Sequence, residues 1–149
     1  MRSETITVDM QQLDHQLCFA VYSTSLAMTR LYKAPLEKLK LTYPQYIVML
    51  ALWEQDDIMV STLGERLSLD SGTLTPLLKR LEASDFVARA RDVTDERRVR
   101  VTLTATGRKL KARAATVPGC LMAATQCSVS ELVALTQQLQ SLRERIKAA

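Results

Sequence analysis

Cys18, Tyr22 and Tyr32 have the residue types and spacing for thiol redox chemistry. Cys18 follows Asp14 by four residues, and Asp14 is a good N-cap for a helix running to about Lys33. The thiol is therefore expected in the first turns of that helix. Partial positive charge there favours the thiolate, the form of cysteine that attacks peroxides and disulfides. Tyr22 at i+4 shares the face of Cys18 and can donate a hydrogen bond to sulfur. Tyr32 at i+14 lies on nearly that face, but at 1.5 Å per residue it is about 21 Å further along the axis. One chain cannot close that gap, whereas antiparallel first helices in a twofold dimer can. The competing reading is a small buried hydrophobe among core aromatics. His15 would sit at the first helical position, where a plain surface histidine is the simpler reading.

A second constellation runs DSGTLTPLLKRLEASDFVARARDVTDERRVRVTLTATG, from Asp70 to Gly107. Leu74, Leu77, Leu78 and Leu81 form the i, i+3, i+4, i+7 stripe of a core-facing helix capped by Asp70. VARAR (87–91) and RVRVTL (98–103) alternate like strands around the charged tip DVTDER. A helix followed by a basic hairpin predicts a winged helix-turn-helix, in which the helix enters the major groove and the hairpin reaches backbone or minor groove. From Lys79 to Arg113 there are eleven Lys/Arg against five Asp/Glu, a local +6 in a chain of +4 overall. The basicity is thus concentrated at the wing, where it would meet phosphate.

Pro76 lies beyond the first turn of the Asp70-capped helix, where proline removes a helical hydrogen bond. That departure in a regular helix points to a functional surface. Ser71, Gly72, Thr73, Thr75, Pro76 and Lys79 would approach base edges and phosphates. The rival is an ordinary helix start rich in Ser and Thr for solubility. Asp95 and Arg97 stand two apart at the wing tip. Arg89, Arg91, Arg98 and Arg100 read as generic charge, some of it solvated strand surface.

The elements that must position these groups fit one mostly helical domain, 1–149, with a small β-hairpin wing. About 14–33 and 104–149 are expected to dimerise, and about 42–103 to form the winged module. Leu17, Val21 and Leu31 would face inward, and Pro35 would start a short helix, APLEKLK. Thr42 and Pro44 open the apolar helix TYPQYIVMLALWEQ. Ser61 or Thr62 caps STLGERL. Thr104 caps a basic helix that Pro118–Gly119 interrupts, and Ser128 with Glu131 forms a capping box for the last helix. There Leu132, Leu135, Leu139, Leu142 and Ile146 recur at 3-4-3-4 spacing, a heptad seam suited to a homodimer partner. Two winged modules on a twofold axis would read a pseudo-palindromic DNA duplex with half-sites about 10 bp apart.

With 47% hydrophobic and 24% charged residues, the chain has material for one ordinary core. No run has the length of a membrane span, and MRSETITVDMQQL lacks the parts of a signal peptide, so a cytoplasmic protein with reduced thiols is expected. The sequence has no CxxC, HExxH, P-loop or GxGxxG and a single histidine, which argues against an enzyme, a cofactor or a metal site. A thiol peroxidase would share the reactive cysteine but has no use for the basic wing. A winged-helix adaptor without DNA would not need Arg97 or the concentrated charge.

LDHQLCFAVYSTSLAMTRLY followed by LTYPQY, with LDSGTLTPLLKRLEASDFV and DERRVRVTLTATG, resembles the MarR family of transcriptional regulators over nearly the whole chain. The first-helix segment resembles its organic-hydroperoxide-sensing, OhrR-type branch. One departure is Asp85, where the family often has glycine; aspartate tolerates the left-handed conformation. The resemblance implies a dimeric repressor that binds operator DNA when reduced and is released by organic hydroperoxide at Cys18. It adds Tyr43 as a third hydrogen-bond donor to the thiolate and assigns Arg97, held by Asp95, to the minor groove. It also implies an intersubunit disulfide from Cys18 to a distal cysteine. Cys127, just before the capped last helix, is the first choice and Cys120 the alternate. A generic relative would instead bind a phenolic or drug-like effector, with inert cysteines.

Overall fold

The computed structural model describes residues 8–149, so the reading of the first residues as no signal peptide falls partly outside the described residues. Helix α1 (Leu17–Glu37) is followed by α2 (Tyr43–Glu54), strand β1 (Ile58–Met59), α3 (Val60–Leu67) and α4 (Ser71–Ala83). Strands β2 (Val87–Arg91) and β3 (Val99–Leu103) form the wing, and α5 (Ala105–Arg113), α6 (Gly119–Thr125) and α7 (Val129–Ala148) complete the chain.

Asp14 does not cap α1. It lies in a 3-10 turn, Leu13–His15, and the extended Gln16 precedes the helix without a side-chain cap. Asp9 organises this entry instead: its carboxylate accepts the Gln11 N–H at 2.9 Å and its carbonyl accepts from the His15 ring at 2.8 Å. Cys18 is consequently the second residue of α1, closer to the free N–H groups than its distance from Asp14 predicted. Pro35 starts no new helix; α1 runs through it to Glu37. Proline there forfeits one bond in the final turn, and the helix then closes with Lys40 left-handed (φ 59°) and the Leu41 N–H on the Leu36 carbonyl at 3.0 Å. Leu36, Leu39 and Leu41, all buried, anchor that closure.

Thr42 caps α2 with Pro44 in the first turn, as the sequence predicts, and the structure adds a full capping box with Gln45. Neither Ser61 nor Thr62 caps α3: Met59 holds that position, because β1 runs straight into the helix. Asp70 accepts the Thr73 N–H and Thr104 the Gly107 N–H, as expected. Ser128 accepts the Glu131 N–H, but the Glu131 side chain does not return to the Ser128 N–H, so only half of the expected capping box forms. Asp85 is left-handed (φ 61°) after α4.

The antiparallel sheet has the order β1-β3-β2, with Ile58 opposite Val101 and Val87 opposite Leu103. Strand β3 begins one residue later than predicted. Arg98 is taken by the turn, its N–H on the Asp95 carbonyl and its carbonyl accepting from Asp92. The α4 stripe is buried throughout, Leu74, Leu77, Leu78 and Leu81 meeting Leu52, Leu63, Val87 and Val101 in one core. Each such side chain contributes roughly 1.5–3 kcal/mol of apolar burial.

Leu17 and Val21 do not face that core. They stand exposed along the first half of α1, and Leu31 is half-buried. None of α7 is buried: Leu135 and Leu139 are about half exposed, and Leu132 and Leu142 partly so. Two helices at the ends of the chain therefore leave apolar faces uncovered, more than isolated surface leucines account for. Among the described residues no single helix is long and apolar enough to cross a membrane.

Candidate functional site

Cys18 is exposed at the start of α1, and Tyr22, one turn on, is exposed beside it. The far end of α1 is different. The Tyr32 ring lies 5.2 Å from that of Tyr43 and 6.3 Å from that of Tyr46 (centroid to centroid), and Tyr46 meets Trp53 edge-on at 6.5 Å. Cys120, second residue of α6 and half-buried, is close enough to act electrostatically on Tyr32 and Tyr46. Burial above all, then Cys120 and the two neighbouring phenols, pushes the Tyr32 hydroxyl from 10.0 up to about 12. Tyr32 therefore keeps its proton at neutral pH and remains a hydrogen-bond donor. Burial raises Tyr46 as well.

Of the predicted thiol-site residues, the fold brings Tyr32, Tyr43 and Cys120 together and leaves Cys18 and Tyr22 at the opposite end of α1. Cys127 lies between α6 and α7, half-buried, its N–H on the Thr125 hydroxyl at 3.3 Å. Tyr46 was missed; its i+3 spacing from Tyr43 within LTYPQY was the available signal. A groove of about 400 Å³ runs beside this cluster, lined by Val21, Met28, Tyr32, Tyr43, Leu121 and Leu139.

The predicted DNA-facing residues gather elsewhere. Ser71, Gly72, Thr73, Pro76 and Lys79 are exposed on α4, with Thr75 half-buried. A Cβ at Gly72 would meet nothing tighter than the Asp70 carboxylate at 3.4 Å, so packing does not require a glycine there. In the wing, Asp95 accepts both the backbone N–H of Arg97 (3.1 Å) and its Nε (3.2 Å), while the Arg97 side chain is 91% exposed. Asp95 also lies 3.6 Å from Arg98. A cleft lined by Ser61, Ser71, Leu74, Arg97 and Arg98 separates the start of α4 from the wing.

Two of the arginines read as generic charge, Arg89 and Arg100, are held by carboxylates of the chain itself. Arg89 donates to Glu82 at 3.1 Å, tying β2 to the end of α4 and holding that carboxylate below its usual range. Arg100 donates to Asp57 at 2.7 Å. Both are engaged by the protein itself, and neither role was visible in the local alternation. Among the described residues no cluster of three or more His, Cys, Asp or Glu could hold a metal ion.

Residues 30–114 match the transcriptional regulator SarA/Rot family. The chain is 44% identical to the organic hydroperoxide resistance transcriptional regulator of Bacillus subtilis, covering 93% of this chain and 94% of that one. It is 49% identical to the HTH-type transcriptional regulator TtmR of Methylorubrum extorquens, over 98% of this chain and 75% of that one. Among solved structures it resembles AbfR of Staphylococcus epidermidis in two states. Reduced AbfR bound to DNA superposes with a TM-score of 0.73 at 33% identity, covering 91% of this chain and 93% of that one. Disulfide-formed AbfR gives 0.62 at 34% identity, covering 91% and 90%. These relatives are regulators, not enzymes, and AbfR superposes on this chain over the winged module and the flanking helices together. The chain belongs to this family: it is a DNA-binding, winged-helix transcriptional regulator of the MarR type and of its OhrR branch.

Proposed function

We propose that the protein is a homodimeric repressor that leaves its operator when organic hydroperoxide oxidises Cys18. The carrying observation is the division of the thiol site: Cys18 and Tyr22 at one end of α1, Tyr32, Tyr43 and Cys120 at the other. A second chain with its α1 antiparallel to the first would set each Cys18 against the partner's phenols. The exposed apolar faces of α1 and α7 supply the surface such a dimer would bury. Residues 14–33 and 104–149 are thereby dimerising segments of a single domain, and 42–103 the reading head.

The thiolate of Cys18 would attack the terminal oxygen of the hydroperoxide, forming the S–O bond of a sulfenic acid as the O–O bond breaks and the alkoxide leaves, to be protonated to the alcohol. A distal thiol of the partner would then condense with it, releasing water and forming a disulfide. Cys127 was the first choice from sequence. The position of Cys120 beside Tyr32 favours Cys120, since the partner's phenols are what Cys18 would face. A disulfide needs Cα atoms within about 7 Å, so forming it would draw α1 onto the partner's α6 and change the spacing of the two reading heads. Ser71, Gly72, Thr73, Thr75, Pro76 and Lys79 would face the major groove of operator DNA, and Arg97, braced by Asp95, the minor groove.

The test is a mobility shift of reduced protein on a duplex it has selected from a random library, repeated after organic hydroperoxide. Release of the wild type and retention of Cys18→Ser is the expected result. Release of both at one rate would remove Cys18 as the sensor. A second reading, a phenolic or drug-like effector with inert cysteines, is favoured by the groove beside Tyr32 and Tyr43. It expects release by such a compound without oxidant.

A further inference from the structure

Arg100 is the second residue of the central strand β3, opposite Met59 of β1 on one side and Ala90 of β2 on the other. Its guanidinium grips one residue twice: Nε donates to the Asp57 carboxylate at 2.7 Å and Nη2 to the Asp57 carbonyl at 2.8 Å. Nη1 lies 3.7 Å from the carboxylate of Asp92, whose side chain is 11% exposed. Asp57 belongs to the turn between α2 and β1, in the left-handed region (φ 55°). Asp92 stands where β2 leaves the sheet for the wing loop. One planar fork thus spans from the helical module to the root of the wing.

The loop beyond continues from that root. Asp92 accepts the Thr94 hydroxyl at 2.7 Å and its N–H meets the Arg98 carbonyl at 2.8 Å. Asp95 then holds Arg97. Asp56 ties the same turn to the other end of β3, accepting the Leu103 N–H at 2.8 Å.

We propose that Arg100, gripping Asp57 and facing Asp92, is a positioning residue that sets the angle of the wing to α4, not a DNA contact. The inference rests on the wing reading DNA. It turns on which way the guanidinium is committed. Three of its five N–H groups are directed at Asp57 and Asp92, so turning the whole fork onto a phosphate would mean leaving both. Lysine offers a point charge without the fork and cannot replace it.

Asp57 supplies the decisive variant. Removing a carboxylate from a basic DNA-binding face ordinarily strengthens binding. Here it should weaken it, and asparagine tolerates the left-handed backbone, so Asp57→Asn leaves the turn intact. With full-length reduced protein and a duplex selected by the wild type, Asp57→Asn and Arg100→Met should each lose roughly fivefold or more in affinity. The double variant should lose no more than either single one, because both break one device. Arg100→Lys should not recover the wild-type value. Selection from a random library should show the base preference flattened where the wing reads and kept where α4 reads; a general loss of folding would flatten both. Wild-type or tighter binding by Asp57→Asn beside weakened Arg100→Met would overturn the proposal and make Arg100 a phosphate contact. Full affinity in both, with Arg97→Ala weakened, would also overturn it while leaving the wing reading standing. Full affinity in Arg97→Ala itself would remove the wing reading and this inference with it.

Discussion

The indole Nε1 of Trp53 donates to the carbonyl of Gly107 at 2.9 Å, joining the end of α2 to the start of α5 just after the wing returns to the core. On its other side the Trp53 ring meets Tyr46, which in turn meets Tyr32. The phenols at the end of α1 and the base of the wing are therefore neighbours through two rings and one hydrogen bond. Gly107 is also pressed onto the chain that enters the wing: a Cβ there would stand 2.0 Å from the Phe86 carbonyl oxygen. That carbonyl already accepts the Thr104 N–H at 3.1 Å and cannot withdraw freely.

Gly107→Ala should therefore destabilise the protein by about 3 kcal/mol, the scale of overpacking against fixed backbone. The sign is informative, because glycine to alanine inside a helix ordinarily stabilises. Urea unfolding of the two proteins checks it. Equal or greater stability in the variant would mean α5 moves off Phe86 at little cost.

Gly72→Ala should do the reverse. Gly72 is in the first turn of α4, and its added Cβ meets only the Asp70 carboxylate at ordinary contact distance. Stability should hold or rise by a few tenths to about 1 kcal/mol. Affinity for the selected duplex should nonetheless fall, if the glycine is there for close approach to DNA. Undiminished binding would make Gly72 an ordinary helix start.

Raising the pH should separate the tyrosines. Burial holds Tyr32 protonated up to about 12 and raises Tyr46 in the same direction. In the unfolded chain these phenols ionise near 10. The folded state binds more protons between those values, so stability is full below about pH 10 and declines as pH climbs towards 12. Phenolate absorbance should show Tyr32 and Tyr46 titrating late, until unfolding releases them. Ionisation of Tyr32 and Tyr46 near 10 in folded protein would contradict the buried cluster.

What could be read from sequence was local. The α4 stripe stands where the periodicity puts it, and the caps at Thr42, Asp70, Thr104 and Ser128 where local residue types put them, whereas the left-handed Asp85 was expected from the family resemblance. The failures involve distant partners or competing local bonds. Strand β1 is two residues long and exists because β3 pairs with it. Arg100 looked like strand charge because Asp57 lies 43 residues away in sequence. Asp14 lost the cap of α1 to a turn organised by Asp9. Leu17 and Val21 were placed inward because the α1 pattern marks an apolar face without saying which chain covers it.

That face has its own test. Leu139 lies in the heptad seam of α7, about half exposed, and lines the groove beside Tyr32. Leu139→Asp places a charge in the seam but disturbs no buried residue of its own chain. Sedimentation should show the wild type as a dimer and the variant largely as a folded monomer, with operator binding reduced because two half-sites are no longer held together. A dimeric variant would move the interface away from α7.

The resolving thiol is the sharpest remaining choice, and non-reducing gels decide it. Oxidised wild type should run as a covalent dimer, and Cys18→Ser should not. The position of Cys120 on α6 against Tyr32 expects Cys120→Ser to abolish the covalent dimer and Cys127→Ser to keep it. In Cys120→Ser, Cys18 should accumulate as sulfenic acid, trapped by dimedone, and pass on to sulfinic acid with excess peroxide. The opposite pattern would return the role to Cys127. It lies in the α6–α7 turn, half-buried, with its backbone N–H on the Thr125 hydroxyl and Gln126 left-handed (φ 57°) before it. A covalent dimer in both single variants but not in the double would mean that either thiol reaches Cys18. No covalent dimer in the wild type, with operator release still dependent on Cys18, would leave the sulfenic acid to a small-molecule thiol.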